Sequence, residues 1–501
     1  MRSMRMVTAH LCLLAGLIVA GELEESEGVR NLSVTGKMEF EVAEMLRART
    51  TAGMQDNPAR SQTVHQIWFG RTIGTLNFEA KPVEKFAVRA GFEFRQYMTA
   101  LPYQFVNRDR YFGAYYWNSF YMREGQGIFS FVKNEKLSFD AAFGYMPYKY
   151  NPDVRDLGEF LFRSGTYPLY LLGEFERPFA RLLGLRTTLS YQGEIVGAGI
   201  DLLGLTEHEI RPFNDISCAA ITRVNLFKIL EIGGGVDFAH LIPVDNRITT
   251  SDDRNNNRFA RDSSVESIDT FTVPYDTTWQ YSNYGFYTFK GTKLMARGTL
   301  DLVELAGAVR SILTDGDRTS IVNEIRKFTG ESGFKLYGEY AIIGLANYPG
   351  NNRTVSSSAA YNPTGYRSIK ERSPWMVGFT LPMWKLLDVC SFELERFPSY
   401  FRDNYFRVIV NGLPLPVDPR EQSQITNNAG TEYDSSTYVP RWNWSLYMKK
   451  QIVRNFGMVC QIGRNHQRWD YNPNAGAFKD FEAAMVRPDQ WGWHFSGVFS
   501  F

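Results

Sequence analysis

Five charged side chains occur within one stretch of eleven residues, DVRDLGEFLFR at 153–163. They are Asp153, Arg155, Asp156, Glu159 and Arg163. The Asn-Pro pair just before them is a turn and helix-start signal, and the apolar residues between the charges recur at helical spacing. The sequence therefore predicts a short amphipathic helix. Its charges could select a polar solute if the helix lined an aqueous path; alternatively, the helix caps the molecule from outside and its charges only face solvent.

A second set of charged residues lies on segments that alternate apolar and polar residues. On the polar parity of these segments, where the side chains would face a wet interior, lie Arg71, Arg89, Glu93, Arg95, Asp140, Glu174 and Arg297. Because both signs are present, strong selectivity for cations or anions is not predicted. Acidic and basic walls that face each other would favour small polar solutes. The alternative is that these charges pair with one another and solvate the wall.

The remaining residue chemistry points away from catalysis. No GxSxG motif occurs, and the histidines outside the N-terminal segment have no evident serine partner in sequence, so an enzyme is not predicted. Aspartates and asparagines at 252–257 could ligate a hard cation, but their spacing does not fit an EF-hand and a polar loop is the alternative. No metal site or cofactor is predicted. A net charge of +1 gives no case for nucleic acid.

The one long apolar run lies near the N-terminus, at Leu11–Ala20. Arg2 and Arg5 precede it, and small residues and then glutamates follow it. The run is too short to span a membrane as a helix, and its flanks are typical of a secretory signal peptide. We expect residues 1–21 to be cleaved and residues 22–501 to form one domain.

The segments after this signal alternate apolar and polar residues. In KFAVRAGFEFRQ, for example, Phe86, Val88, Phe92 and Phe94 share one parity. Segments of about ten such residues separated by turns are typical of a membrane barrel. A soluble sandwich has the same alternation, but the signal peptide and the length of the series favour the barrel. No second apolar run could form a spanning helix, so only a closed barrel could hold the chain in a membrane.

Short and long connectors alternate along the chain and define the predicted fold. It is an all-β, single transmembrane antiparallel up-and-down barrel of about sixteen strands, within a range of fourteen to eighteen, with short periplasmic turns and long extracellular loops. Short links are predicted at 81–88, 177–185, 225–232, 381–389 and 450–458, and a longer periplasmic link with a short helix at 303–330. The predicted strands are 31–46, 63–81, 86–98, 111–133, 137–147, 167–177, 185–195, 214–226, 229–241, 282–302, 331–347, 373–381, 388–398, 437–449, 456–468 and 491–501, and the long connectors between them include 148–166, 196–213 and 242–281.

The last strand, QWGWHFSGVFSF at 490–501, has an aromatic residue at almost every second position. Such an edge would aggregate in water unless it were paired on both sides and covered on its aromatic face. In this strand, and in the alternation before it, the chain resembles Gram-negative outer-membrane β-barrel proteins of the porin type. The resemblance implies that Trp493, Phe495, Phe499 and Phe501 form the signal that the barrel-assembly machinery recognises. Gly497 departs from that pattern, which usually has a hydrophobic residue there.

The resemblance also implies a location and a function. The location is the cell outer membrane. The function is a porin-like channel for passive diffusion of small polar solutes, with the loop at 148–166 folded inward as the constriction. The alternative is a structural or surface-adhesion barrel whose lumen is plugged. Expected partners are outer-membrane lipid, the barrel-assembly machinery and small polar solutes, and the oligomeric state stays open.

Overall fold

Most of the described chain forms one antiparallel sheet. The computed structural model describes residues 32–50, 63–100, 115–162, 180–206, 216–242, 259–261, 286–288, 291–329, 333–342, 345, 369, 373–396, 442–464, 468–470, 483–486 and 491–501. Eighteen strands join the large sheet, and two short strands pair separately. In chain order the strands are β1 (Leu32–Thr50), β2 (Thr63–Val83), β3 (Phe86–Ala100), β4 (Tyr115–Lys133), β5 (Leu137–Tyr148), β6 (Ala180–Gln192), β7 (Val196–Thr206), β8 (Ile216–Leu226), β9 (Leu230–Ile242), β10 (Phe259–Arg261), β11 (Phe286–Thr288), β12 (Gly291–Asp301), β13 (Lys335–Ile342), β14 (Trp375–Thr380), β15 (Val389–Arg396), β16 (Trp442–Val453), β17 (Phe456–Arg464), β18 (Arg468–Asp470), β19 (Ala483–Val486) and β20 (Gly492–Ser500).

Sixteen of these strands close into a barrel. Strands β1 to β9 pair in succession, β9 pairs with β12, and β12 to β17 continue the order to β20. The last strand then pairs antiparallel with the first, from Lys37 opposite Ser500 to Met45 opposite Gly492. Of the four other strands, β10 and β11 pair with each other, and β18 and β19 form a hairpin against the end of β1. The predicted sixteen-stranded up-and-down barrel is confirmed, and closure leaves β20 with no free edge.

The two faces of the barrel wall differ in polarity. Phe40, Val42, Phe143 and Phe495 lie on the outward parity and are exposed. The neighbouring inward positions carry polar residues such as Glu41. This alternation follows from the period of two along a strand, which places every second side chain on the same face. An apolar exterior and a polar interior are what a barrel surrounded by lipid requires.

The periplasmic rim carries the short turns, as predicted, but two predictions nearby are wrong. The segment 177–185 is not a link, because β6 begins at Ala180 and runs on to a turn at 193–195. The predicted outer connector 196–213 contains β7. The predicted strand 167–177 lies outside the described residues. The count of sixteen strands still agrees with the prediction, because β5 pairs directly with β6 and β7 adds a strand that was not predicted.

Two of the periplasmic turns have left-handed backbone at both central residues. In one, Phe227 and Lys228 have φ of 55° and 59°; in the other, Trp384 and Lys385 have φ of 45° and 66°. Turns of this hand match the twist of paired strands, although glycine or asparagine usually occupies these positions. Both aromatic side chains are more than half exposed at the rim.

The long periplasmic link folds into two helices, α1 (Leu302–Thr314) and α2 (Arg318–Thr329), called here the helical hairpin. Asp301 caps α1, because its carboxylate accepts hydrogen bonds from the amides of Val303 and Glu304, each at 3.0 Å. The prediction of a helix in 303–330 is confirmed. Among the described residues, no helix is both long enough and apolar enough to cross a membrane.

Candidate functional site: the inner segment of the barrel

Residues 149–162, called here the inner segment, leave β5 and fold into the barrel. The predicted amphipathic helix is wrong for these residues, which form successive turns. Gly158 and Glu159 have φ of 86° and 57°, a left-handed conformation that a right-handed helix does not allow. The backbone N–H groups of the segment therefore lack helical partners and find acceptors on the barrel wall.

Two glutamates of β15 accept four consecutive N–H groups of the segment. The carboxylate of Glu393 accepts hydrogen bonds from the amides of Arg155, Asp156 and Leu157 at 2.5, 2.9 and 2.8 Å. Glu395 accepts the amide of Gly158 at 3.3 Å. Hydrogen bonds to an ionised acceptor stabilise by about 1.5–3 kcal/mol each. A run of consecutive amides is thus fixed to one strand of the wall.

A third glutamate, Glu339 of β13, holds the next part of the segment. It accepts hydrogen bonds from the amides of Glu159 at 3.0 Å and Phe160 at 2.8 Å. It also accepts the Tyr150 hydroxyl at 2.5 Å and the Asn151 side-chain amide at 3.2 Å. The Tyr150 hydroxyl in turn accepts the amide of Leu161 at 2.9 Å. Both ends of the inner segment therefore meet at one buried carboxylate.

These anchors lie on the far side of the barrel from the strand that the segment leaves. Counting round the ring from β5, β13 is the sixth strand and β15 the eighth of sixteen. Glu393 thus stands opposite β5, so the inner segment crosses the interior.

The apolar side chains of the inner segment pack against the wall between β5 and β14. Val154, Leu157, Phe160 and Leu161 are fully buried, which agrees with their apolar spacing in the sequence although the helix is absent. The strands that they contact also carry apolar side chains on their inner faces in this sector. The cluster that they form contains Ala142, Met146, Tyr148, Leu182, Leu203, Leu205, Ala219, Ile221, Met295, Tyr337, Ala341 and Met376. The hydrophobic core of this protein therefore lies inside its barrel.

Asp153 and Lys149 fix the start of the inner segment. The Asp153 carboxylate accepts a hydrogen bond from Thr299 Oγ1 at 2.8 Å and lies 2.8 Å from the Lys335 ammonium. Although burial raises the pKa of Asp153, the Lys335 ammonium, the Thr299 hydroxyl and Arg155 together outweigh burial and hold that pKa below its usual value. Lys149 donates to the carbonyl of Val154 at 2.5 Å, and burial lowers its pKa to about 8.

Glu159 is a buried carboxyl group within the segment. It accepts the amides of Asn151 at 2.5 Å and Tyr150 at 3.4 Å, and so closes the segment into a loop. Burial, together with the negative charge of the nearby Glu339, raises the pKa of Glu159 to about 8. Near neutral pH this group is therefore largely protonated, unlike an ordinary glutamate.

The predicted constriction residues are brought together in the inner segment, with one exception. Asp153 binds Lys335, Asp156 and Glu159 are buried, and Arg155 is half-buried. Arg163 lies outside the described residues. These side chains are more closely bound to the wall than the sequence predicted.

The predicted lumen-lining residues that are described all lie on inward parity. Arg71 pairs with Glu41 at 2.5 Å, Arg297 with Glu231 at 2.6 Å, and Arg95 with Glu93. Arg89 pairs with Glu79 at 2.9 Å, and Asp140 accepts the Ser130 hydroxyl at 2.6 Å. Glu174 lies outside the described residues. These contacts favour the second of the two interpretations, in which the inward charges pair with one another and solvate the wall.

Exposure of the inward side chains changes with height in the barrel. Near the periplasmic turns Arg89 is exposed and Glu79 partly exposed. At mid-height Ile73, Glu93 and Gln461 are each 0% exposed. These inward side chains are thus accessible to water near the periplasmic turns and covered at mid-height.

The three anchoring glutamates were not among the predicted site residues. In CSFELER, Glu393 and Glu395 alternate with apolar residues, which predicts an inward strand face and nothing more. Their role depends on amides that lie more than two hundred residues away in sequence. The alternation of residues within one strand cannot predict such a contact.

Three features identify the class of barrel: sixteen strands, an exterior compatible with lipid, and a loop that enters the interior after β5. The chain folds as a porin-like outer-membrane β-barrel. Barrels of this kind span outer membranes, which gives the chain its location.

Comparison with solved structures finds porins. The structure of Pseudomonas putida OprB at high pH is 9% identical, with a TM-score of 0.39 and coverage of 94% of both chains. A complex of Salmonella typhi OmpF with daunomycin is 9% identical, with a TM-score of 0.41 and coverage of 95% of this chain and 99% of that one. A mutant of Rh. blastica porin is 5% identical, with a TM-score of 0.35 and coverage of 94% and 100%. These likenesses are weak, so the assignment of the fold depends on the strand pairing described above.

No protein-family model matches the chain, and no curated protein matches it in sequence.

Proposed function

We propose that this barrel is a channel for passive diffusion of small polar solutes, with the inner segment as its constriction. The observation that supports this most directly is the crossing of the interior by residues 149–162, which are anchored on the far wall by Glu339 and Glu393. A segment held in this way narrows a lumen without being part of its wall.

The charges of the wall fit the same proposal. Arg71, Arg89, Glu93, Arg95 and Arg297 are inward, and all of them pair with a charge of opposite sign. A wall of paired charges presents dipoles and hydrogen-bonding groups rather than a net field, so it suits polar solutes better than ions of one sign. A fold of this type is typical of a channel rather than of an enzyme.

The test is single-channel conductance of the refolded protein in planar bilayers, compared with a variant in which a short Gly-Ser linker replaces residues 151–161. We expect stable conductance steps from the intact protein and larger steps from the variant. Silence in both proteins would contradict the channel.

A second candidate is a structural or surface-adhesion barrel whose interior is plugged. It is favoured by the close burial of inward side chains at mid-height on several walls, including Glu93, Glu395, Val459 and Gln461. The same experiment separates the two candidates. Silence in the intact protein, with steps only after the replacement, would indicate that the inner segment acts as a plug.

Two segments are proposed to direct export and assembly. Residues 1–21 would be removed as a signal peptide, which mass determination of the protein isolated from outer membranes would test. Trp493, Phe495, Phe499 and Phe501 would be read by the barrel-assembly machinery. Supporting this, Phe495, Phe499 and Phe501 lie exposed on the outer face of β20. Phe501→Ser should lower assembly in cells but leave refolding in detergent nearly unchanged; equal loss in both assays would indicate a role in stability alone.

A further inference from the structure

We propose that α1 lies in the lipid interface of the periplasmic leaflet, with one face embedded among phospholipid headgroups and upper acyl chains. That face is the apolar stripe formed by Leu305, Val309, Ile312 and Leu313. The proposal depends on the outer-membrane barrel fold and does not depend on channel activity.

The apolar stripe is exposed in the folded chain. Ile312 is 81% and Leu313 78% exposed, and Leu305 and Val309 are also exposed. Their spacing of four, then three, then one residue places them on one side of the helix. Large apolar side chains grouped in this way on a surface mark a contact with lipid or with another molecule.

The opposite face of α1 is already occupied by α2. Gly307 lies so close to Val322 that a Cβ at this position would overlap the valine side chain. Beside this contact, the Glu304 carboxylate accepts hydrogen bonds from Arg318 and Arg326 at 3.0 and 2.9 Å. The helical hairpin is therefore held together without the apolar stripe, which points away from α2.

Ion pairs show on which side of the wall each helix lies. Arg326 of α2 reaches the Asp301 carboxylate at 3.5 Å, and Asp301 shares the inward parity of β12 with Arg297 and Thr299. This places α2 on the lumen side of α1 and turns the apolar stripe outward. Arg318 donates to the carbonyl of Phe227 at 2.7 Å, so the hairpin extends along the rim towards the turn between β8 and β9.

The apolar stripe continues a surface that already faces lipid. Ile232 and Leu336, on the outward parity of neighbouring strands, are 52% and 48% exposed, and Phe227 in the adjacent turn is 51% exposed. Arg310 of α1 is ion-paired with Glu324 of α2 at 3.4 Å, so it adds to the contact between the two helices and leaves the stripe apolar. A helix with such a face, parallel to the rim, has the features of an interfacial helix. Continuity with the lipid-facing wall favours phospholipid over a protein partner.

The test measures the depth of single positions in the membrane. In a protein that lacks residues 1–21, and with them Cys12, and in which Cys218, Cys390 and Cys460 are replaced by alanine, Ile312→Cys is labelled with the environment-sensitive dye NBD. The barrel is refolded into vesicles of phosphatidylethanolamine and phosphatidylglycerol, with or without lipids that carry a doxyl quencher near the headgroup. Asn323→Cys on α2, which is exposed but not on the stripe, is the matched control.

We expect severalfold quenching at position 312 and little at position 323, with a blue-shifted emission only at 312. Water-like, unquenched emission at 312 would overturn the proposal. A blue shift at 312 without lipid quenching would also overturn it, because a protein surface would then cover the stripe. Equal quenching at both positions would refute the orientation of the hairpin. Migration of unheated protein in a gel checks that each labelled variant is folded.

Discussion

Glu393→Gln should loosen the inner segment while leaving the barrel closed. The glutamine keeps the size of the side chain but loses its charge, and one of the two acceptor oxygens becomes an NH2 group. Glu393 accepts three backbone amides and the Tyr337 hydroxyl, which is 2.9 Å away. Whichever way the new amide is oriented, at least one of these donors then faces another donor.

The size of the effect follows from these contacts. The change weakens or removes about two charge-assisted hydrogen bonds, and each is worth about 1.5–3 kcal/mol. Because some donors will find water instead, we expect docking of the segment to weaken by roughly 2–4 kcal/mol. At 1.4 kcal/mol per factor of ten, this corresponds to a roughly 30- to 700-fold larger equilibrium constant for opening of the segment.

Amide hydrogen exchange of residues 155–157 measures this directly. A second measurement is the open-state noise of single channels, which should increase. Glu79→Gln is the matched control, because Glu79 is also an inward glutamate but its ion pairs are with Lys81 and Arg89. Unchanged exchange at 155–157 in the Glu393 variant, or the same acceleration in the Glu79 variant, would refute the anchoring role of Glu393.

The remaining predictions concern barrel closure and pH. Gly36→Val should destabilise the barrel by about 1 kcal/mol in urea unfolding, because a Cβ at Gly36 overlaps the outer end of the Phe501 ring and forces that exposed ring to move. Gly74→Val, where nothing lies within 4 Å of the new Cβ, should be near neutral, and equal effects would show that the ring contact is irrelevant. The raised pKa of Glu159 means that docking of the inner segment takes up a proton, so docking should be tightest below pH about 4.5 and weaken as pH rises to about 8. Amide hydrogen exchange at residues 158–160, corrected for its intrinsic pH dependence, should become faster as the pH rises over this range. Glu159→Gln should remove this pH dependence. If the pH dependence persists in the variant, a group other than Glu159 causes it.

The barrel could be predicted from the sequence because lipid imposes a strict period of two on its outer face. The one strand of the barrel that the prediction missed, β7, shows where this rule fails. Its inward residues Leu203 and Leu205 are apolar because they cover the inner segment, so the strand lacks the alternation that marked the others. Its glycines and leucines therefore resembled a connector.

The candidate site was predictable in location but not in conformation. Apolar spacing correctly indicated that Leu157 and Phe160 would be buried. The same spacing wrongly predicted a helix, because it cannot report that the amides would bind Glu339 and Glu393 instead of carbonyls one turn earlier. A contact between residues so distant in sequence depends on the closed barrel, which exists only after the whole chain has folded.

Closure of the ring also has a consequence for how the chain acquires its structure. The amide of Gly36 donates to the carbonyl of Phe501 at 2.8 Å, and the amide of Phe501 donates back at 3.0 Å, so nearly the whole sequence separates the two partners. The free edge of β1 stays unpaired until β20 is in place, and contacts between residues so distant in sequence form slowly. Until then both edges can pair with other chains, as exposed strands readily do. The protein is therefore most vulnerable to aggregation before its final strand is in place, and a holding chaperone should matter more for its yield than its final stability does.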